Sequence, residues 1–317
     1  MSLDYNYLDA YIKKAYMPKM VDNILESNPI LFRLLGKAKK KRGGRKISIP
    51  TWYKKDTNQG SYGRWDQASF TFQDKKTLAE FDWKYNRQFI ILDRIDELEN
   101  AGEGKIVDIL DTEVNSCKQS FKDALGTQFF SDGTGNNSKD IHGLKAAIDD
   151  GTNVAAFGGI TRSTNTWWKA QYDANSGTDR ELTVALMQGM WGECKNGVDT
   201  SDVPTLIVTT QAIFDKYAGI LDPTRVRGDG EMGKAGFQTL LFNGVPLVVD
   251  SHCQAKHMYF VNERHVFAIV HPDENFKYIP FAWKLDQEVM VAKIRIACNL
   301  VSDECRKSGV ILDIKED

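Results

Sequence analysis

Hydrophobic and polar positions change period several times along this chain. At its start, Leu8, Ile12 and Ala15, then Met20, Val21, Ile24 and Leu25, fall at helical spacing. Pro18 and Pro29 divide the stretch into short amphipathic pieces. They precede any obvious core, which fits either the first part of a bundle or an arm laid along a neighbouring subunit. From residue 46 the period becomes two. KISIPTWY alternates as a strand, KKDTNQGSYGRWDQ is polar and turn-rich, and SFTF and FDWKYNRQFIIL alternate again, with Phe81, Trp83 and Tyr85 assigned to one face. Residues 46–92 therefore predict a long two-stranded excursion with a polar tip. It carries ten aromatic residues between Trp52 and Phe89. An isolated hairpin is marginal in water, so this chain or another must cover them.

The clearest long helix is predicted over 103 to about 130, where Ile106, Leu110, Val114, Cys117, Phe121, Leu125 and Phe129 step by three or four along one face. The turn residues of SDGTGNNS, Ser131 to Ser138, end it. Beyond lies a mixed α/β region. Thr178 and Glu181 form a capping-box pattern before a helix with Leu182, Ala185, Leu186, Gly189 and Met190 inward. TLIVT reads as a buried strand, and Thr210 as the cap of a second helix with Ile213, Phe214, Tyr217 and Ile220 inward. From Phe237 onward strands dominate: FQTLLF, VPLVV, HMYFV, VFAIV, VMVAKIRIA and GVILDI.

Composition narrows the class. The chain has 317 residues, 42% of them hydrophobic, enough for one large or two modest domains. Its formal net charge of -2 disfavours a protein that coats nucleic acid along its whole length. No apolar run is long enough to span a membrane, and the N-terminus lacks a secretory h-region. The five cysteines form no C-x-x-C pair, which points to a reducing compartment. Local charge is less even. Residues 37–46 hold Lys37, Lys39, Lys40, Lys41, Arg42, Arg45 and Lys46, whereas 93–113 hold eight acidic residues, among them Asp96, Glu97 and Glu99. The basic run is a solvated face, a phosphate contact or a partner for an acidic surface on another subunit.

Candidate chemistry is sparse. RVRGDGEMGKAGF contains Gly228, Gly230 and Gly233 in the dinucleotide spacing, Lys234 as in a phosphate-binding loop, and the tripeptide Arg227-Gly228-Asp229. A phosphate loop needs a strand before it, a helix after it and a hydroxyl after the Lys; Ala235 stands there and a strand-like run follows. His252, Cys253 and His257 lie close together, but a polar turn between two strands explains them better than a zinc site. There is no G-x-S-x-G and no HExxH. The residues call for no enzyme, no cofactor and no metal.

The order of parts is more telling: an arm, a basic turn, an aromatic hairpin, a long helix, a compact α/β unit and returning strands. With FGGITRSTNTWWKA (157–170), LIVTTQAIFDKYAGIL (206–221) and FNGVPLVVDSHCQAKHMYFVN (242–262), the chain resembles the major capsid proteins of tailed bacteriophages over nearly its whole length. That capsid fold is shared with encapsulins and the herpesvirus capsid floor. The resemblance implies an α+β fold with an N-terminal arm (1–45), an extended β-hairpin loop (46–92), a peripheral domain with a spine helix (93–150), an axial α/β domain (151–270) and strands returning to the peripheral domain (271–317). It implies a structural protein that assembles in the bacterial host cytoplasm into hexameric and pentameric capsomers of an icosahedral virion. Such a shell encloses double-stranded DNA without sequence-specific contact and has no membrane. A separate scaffolding protein, or a removed leader, and a portal are expected alongside it. The basic run, Trp52, Trp65 and the acidic residues Asp96, Glu97 and Glu99 become expected intersubunit contacts, and Arg227–Lys234 an expected loop near the capsomer centre. An encapsulin-type compartment is the alternative with the same fold, and a nucleotide-binding enzyme using Gly228–Lys234 the alternative from another class.

Overall fold

The computed structural model describes residues 28–67, 70–95, 103–195, 202–221, 239–285 and 287–316, with side chains left aside for 103–111 and 239. Asn28 to Leu35 packs into the main core, with Leu31, Leu34 and Leu35 buried, so this stretch belongs to the body although it was expected in the arm. Its one buried cation, Arg33, meets both carboxylate oxygens of Glu263 at 2.7 and 2.8 Å, which offsets the cost of burial. The basic run begins as β1 (Lys39–Lys40), which lies parallel to Ile269 and Val270.

The excursion starts with β2 (Lys46–Trp52) and returns as β3 (Lys76–Asp82), antiparallel and in register from Lys46 opposite Asp82 to Trp52 opposite Lys76. Alternation holds here: Ile47, Ile49, Ala79 and Phe81 face inward. It breaks at Trp83. Lys84 is buried and Tyr85 is exposed, so Phe81, Trp83 and Tyr85 do not share one face as the alternation predicts. The cause is a change of sheet. The chain leaves its partner β2 at Asp82, and β4 (Lys84–Asp93) pairs over its full length with β14 (Gln287–Ser302). The indole of Trp83, in the joint, donates to the Gly44 carbonyl at 3.1 Å.

The long helix α1 (Glu103–Phe130) forms where the period predicts it, and Val114, Cys117, Phe121, Leu125 and Phe129 are buried. It lies against β4 and shares the main core with Ala292, Ile294 and Ile296 of β14, none of which is more than 1% exposed. A short hairpin follows, β5 (Ala156–Phe157) and β6 (Ile160–Thr161), then β7 (Gln171–Asp173).

Helix α2 (Val184–Cys194) begins six residues after the predicted capping-box threonine. Thr183 is the true cap; its hydroxyl accepts from the Leu186 amide, and Thr178 and Glu181 lie before the helix. After β8 (Leu206–Thr209), α3 (Gln211–Ile220) starts at Thr210 as predicted. Ile213, Phe214 and Tyr217 are buried, but Ile220, the last residue of the helix, is exposed.

Two larger sheets carry the rest. β7, β8, β9 (Thr239–Phe242), β10 (Val245–Val249), β11 (Met258–Val261) and β15 (Gly309–Ile311) form one of six strands, in the order β7-β15-β11-β8-β10-β9. It is buried on both faces: Ile207, Leu247, Met258 and Phe260 meet α2 and α3, while Val208, Val248, Tyr259 and Val261 join the main core. That double burial explains the continuous apolar runs. The second sheet has β14 at its centre, with β4 along one edge and β12 (Val266–Val270) and β13 (Lys277–Lys284) along the other.

Two strands fall outside the expected division at residue 270. Val266–Val270 pairs with β14, because the chain crosses sheets at 262–265. Gly309–Ile311 does not stay with the returning strands; it inserts between β7 and β11 of the six-stranded sheet.

Candidate intersubunit surface

The root of the excursion stands on a platform built from 149–168. Phe81 meets the Phe157 ring edge-on at 4.9 Å, and the Glu80 amide donates to the Gly158 carbonyl at 2.8 Å. Gly158 has φ +61, and a Cβ there would lie 2.7 Å from the Phe81 ring, so glycine is required on both counts. Beneath, Arg162 is fully buried and donates to the carbonyls of Val154, Ala146 and Ala147 at 3.1, 2.7 and 3.0 Å. Its counter-charge Asp149, 3.6 Å away, accepts from the amides of Gly151, Asn153 and Val154. Trp168 is buried too and donates to the Phe157 carbonyl at 2.9 Å. These side chains make a rigid base from loop backbone.

Beyond the base the legs leave the body. Tyr53 stacks on Trp167 at 5.4 Å, beside an open cleft of about 860 Å³ lined by Trp52, Lys54, Lys76, Asp303 and Arg306 among others. Asn58 then ties the legs together, donating to the Thr71 carbonyl at 2.8 Å and accepting from the Thr71 amide at 3.1 Å. Lys75 pairs with Asp56 across the same gap. Past this brace, Tyr62, Trp65 and Phe70 are 84–90% exposed; Phe72 beside it is 99% exposed, and Trp52 at the root 74%. Scattered exposed apolar residues are ordinary; a projecting arm carrying four nearly bare aromatic rings is not.

A second exposed face lies on β4, where Tyr85, Phe89 and Ile91 point away from the core, with Ile95 exposed just beyond the strand. Arg87 sits over the Phe89 ring at 5.3 Å, and its cross-strand neighbours are Arg295 and, beyond it, Lys277. Glu274 pairs with both Arg295 and Lys277. Pattern reading missed this face, because FDWKYNRQFIIL reads as the returning leg of the hairpin.

The basic run is partly occupied within the chain. Lys39 lies 3.3 Å from the Phe267 ring centroid, Arg42 pairs with Asp273 at 2.9 Å and Lys46 with Glu80 at 2.9 Å. The hydrogen bond and charge of Glu80 raise the pKa of Lys46. Lys41 donates to the Ser48 carbonyl at 3.4 Å, and Lys40 and Arg45 are exposed. Lys37 is exposed as well. Of the acidic counterpart, Asp93 and Glu113 are exposed, while Asp96, Glu97 and Glu99 lie outside the described residues. So do Arg227, Gly228, Asp229, Gly230, Gly233 and Lys234.

The His252–Cys253–His257 cluster is a turn between β10 and β11. Cys253 is buried with its thiol pushed well up by burial, and His257 is shifted down, also by burial. All five cysteines are free and buried, and burial pushes Cys117 up to about 11 and Cys298 up to about 12, so neither is a nucleophile near neutral pH. Among the described residues, no group of three or more His, Cys, Asp or Glu is arranged to hold a metal ion, and no helix is long and apolar enough to cross a membrane.

No family model and no curated protein matches the chain by sequence. Solved structures match it by shape. A subunit of the cyanophage A-1(L) capsid aligns over 90% of this chain and 92% of its own, with a TM-score of 0.68 at 17% identity. A subunit of the capsid of a native GTA particle aligns over 89% and 90%, with a TM-score of 0.61 at 10% identity. The SrpI encapsulin of Synechococcus elongatus PCC 7942 aligns over 89% and 86%, with a TM-score of 0.53 at 10% identity.

Proposed function

We propose, from the capsid fold that this chain has, that it is the major structural subunit of a tailed-phage-type icosahedral shell enclosing double-stranded DNA. The observation that carries the reading is the braced excursion, which holds Tyr62, Trp65, Phe70 and Phe72 in solvent while its root is locked to the body. A chain that worked alone would gain nothing from displaying these rings; a chain in a closed lattice buries them on its neighbour. The work of such a subunit is geometric. A rigid body sets the lattice, and the projecting legs absorb the differences between hexameric and pentameric settings. No catalytic step is assigned to it. A scaffolding protein and a portal would act beside it in the host cytoplasm, and the virion shell is its destination. The basic run of 37–46 would meet the acidic 93–113 segment of a neighbour through weak, salt-sensitive pairs. The 227–234 loop would stand near the capsomer centre.

The encapsulin match sustains a second reading, a compartment for cargo proteins, but its TM-score of 0.53 is below the 0.68 of the cyanophage capsid. Electron microscopy of the purified chain across protein and salt concentrations tests both. Shells are expected; compact single subunits under every condition would sink both readings. Nuclease-protected DNA inside particles from infected cells selects the phage capsid, and protected protein cargo without DNA selects the compartment.

A further inference from the structure

Besides its shared core, the six-stranded sheet meets the rest of the body at two polar contacts in which a histidine is held between two aspartates. The first lies in the turn from β10 to β11. His252 places Nε2 2.9 Å from Asp123 on α1 and Nδ1 3.3 Å from Asp250 at the end of β10. The second lies where the chain crosses between sheets. Only two described links pass between β11 or β15 and the β12–β14 pair, namely 262–265 and 303–308, and His265 joins them. Its Nδ1 is 2.8 Å from Asp303 in one link, and its Nε2 is 2.7 Å from Asp202 just before β8.

Carboxylate oxygens only accept, so both ring nitrogens must donate at each tie, and only the imidazolium form does this. A neutral ring turns one lone pair toward a carboxylate, which loses one hydrogen bond and one charge attraction. We propose that His252 and His265 form a two-point latch between the six-stranded sheet and the α1/β14 layer, closed by protonation and loosened by its loss.

The surroundings are few and favour the charged rings. Around His252 stand Asp250, Asp123, the Ser251 hydroxyl and, over Gly126 of α1, the Asn28 amide. The Asp250 carboxylate is fully buried; one oxygen lacks any partner, and the other accepts from the His252 amide at 2.9 Å and faces the ring at 3.3 Å. Around His265 stand Asp303 and Asp202; Asp202 also accepts from Asn262 at 2.7 Å and has Lys307 at 3.5 Å. Charge complementarity is reflected in the ionisation. The Asp250 hydrogen bond raises His252, against burial and with help from Asp123. Burial pulls His265 down, but Asp303 and Asp202 outweigh it and the net shift is upward.

The sign follows. Groups raised in the folded state stabilise fully below the unfolded value near 6.5 and lose that contribution as pH rises through their folded values. His142 runs the other way: burial, aided by Lys84, lowers it to about 4, so it acts only below the same point. The two effects occupy separate pH windows.

Hydrogen exchange of the purified full chain from about pH 6 to about pH 9, corrected for intrinsic rates, tests the latch. Peptides covering 202–206, 250–257, 262–266 and 303–308 are expected to lose protection by up to about tenfold per pH unit within the window, while α3 does not. His265→Gln should flatten the response of the crossing links alone. Asp123→Asn, at a side chain 76% exposed and therefore safe for folding, should flatten that of 250–257 alone. A wild-type profile without the added loss, or variants that keep it, overturns the proposal.

Discussion

Trp65 offers the sharpest separation between folding and assembly. Its side chain is 90% exposed and makes only a distant contact with Arg64, whose guanidinium lies 5.9 Å from the ring centroid. Removing it as Trp65→Ala therefore takes nothing from the core, and the stability of the isolated subunit should change by less than about 0.5 kcal/mol. Assembly is another matter. A tryptophan buries roughly 150–250 Å² when covered, and at about 25 cal/mol per Å² that is about 4–6 kcal/mol for each contact. Ordering of the arm and imperfect desolvation reduce the usable part to about 2–4 kcal/mol. At 1.4 kcal/mol per decade, the concentration needed for shells to form should rise about 30- to 700-fold. Light scattering against protein concentration gives that threshold, and urea unfolding of the unassembled variant gives the control. An unchanged threshold would refute the argument, and so would a subunit destabilised in proportion to its assembly defect.

Asp149→Ala should destabilise the subunit by about 3–5 kcal/mol in urea, because it strands the fully buried Arg162; adding Arg162→Met should recover part of the loss, and a strictly additive double variant would show the pair is not coupled. Gly158→Ala should cost about 1–3 kcal/mol and release the Glu80 amide to exchange, since the new methyl meets both a positive φ and the Phe81 ring; unchanged protection at Glu80 would contradict this. Neutralising Lys39, Lys40 and Lys41 together should weaken assembly and flatten its salt dependence; a shell whose salt response is unaltered removes these lysines from the interface.

How much of this was legible in the sequence depended on the range of the interactions. The helix Glu103–Phe130 was, because one apolar face repeats for seven turns and nothing local competes. The buried strands of the six-stranded sheet were also evident, since burial on both faces leaves uninterrupted apolar runs. In the excursion the β2 leg was legible, but SFTF is not a strand, since residues 70–75 carry none and β3 begins at Lys76, and the reading fails again after Asp82. A strand that changes sheets keeps its alternation, and only the phase slip at Trp83 and Lys84 marks the change. The cap at Thr183 was missed for a similar reason: Thr178 and Glu181 satisfy the capping-box spacing, but tertiary packing starts the helix at Val184. The histidine ties were out of reach. His252 and Asp123 are 129 residues apart, and His265 is 38 and 63 residues from its aspartates. The cluster around Cys253 was visible as a turn, yet its chemistry comes from a helix that pattern reading cannot place beside it.

The insertion of β15 between β7 and β11 has a consequence for the order of events in the cell. Among the described residues β7 pairs only with β15, so the six-stranded sheet has a gap until residues 309–311 have been made. Domains generally fold from their N-terminal side during synthesis, but the α1 layer cannot finish that way, since β14 (Gln287–Ser302) is the centre of its sheet. The six-stranded sheet waits a little longer, for β15 between β7 and β11. Until then a nascent chain shows the aromatic arm without the completed body that a neighbour would recognise. In the shell proposed above, strand order would act as a clock, deferring lattice formation from the polysome to the pool of finished subunits.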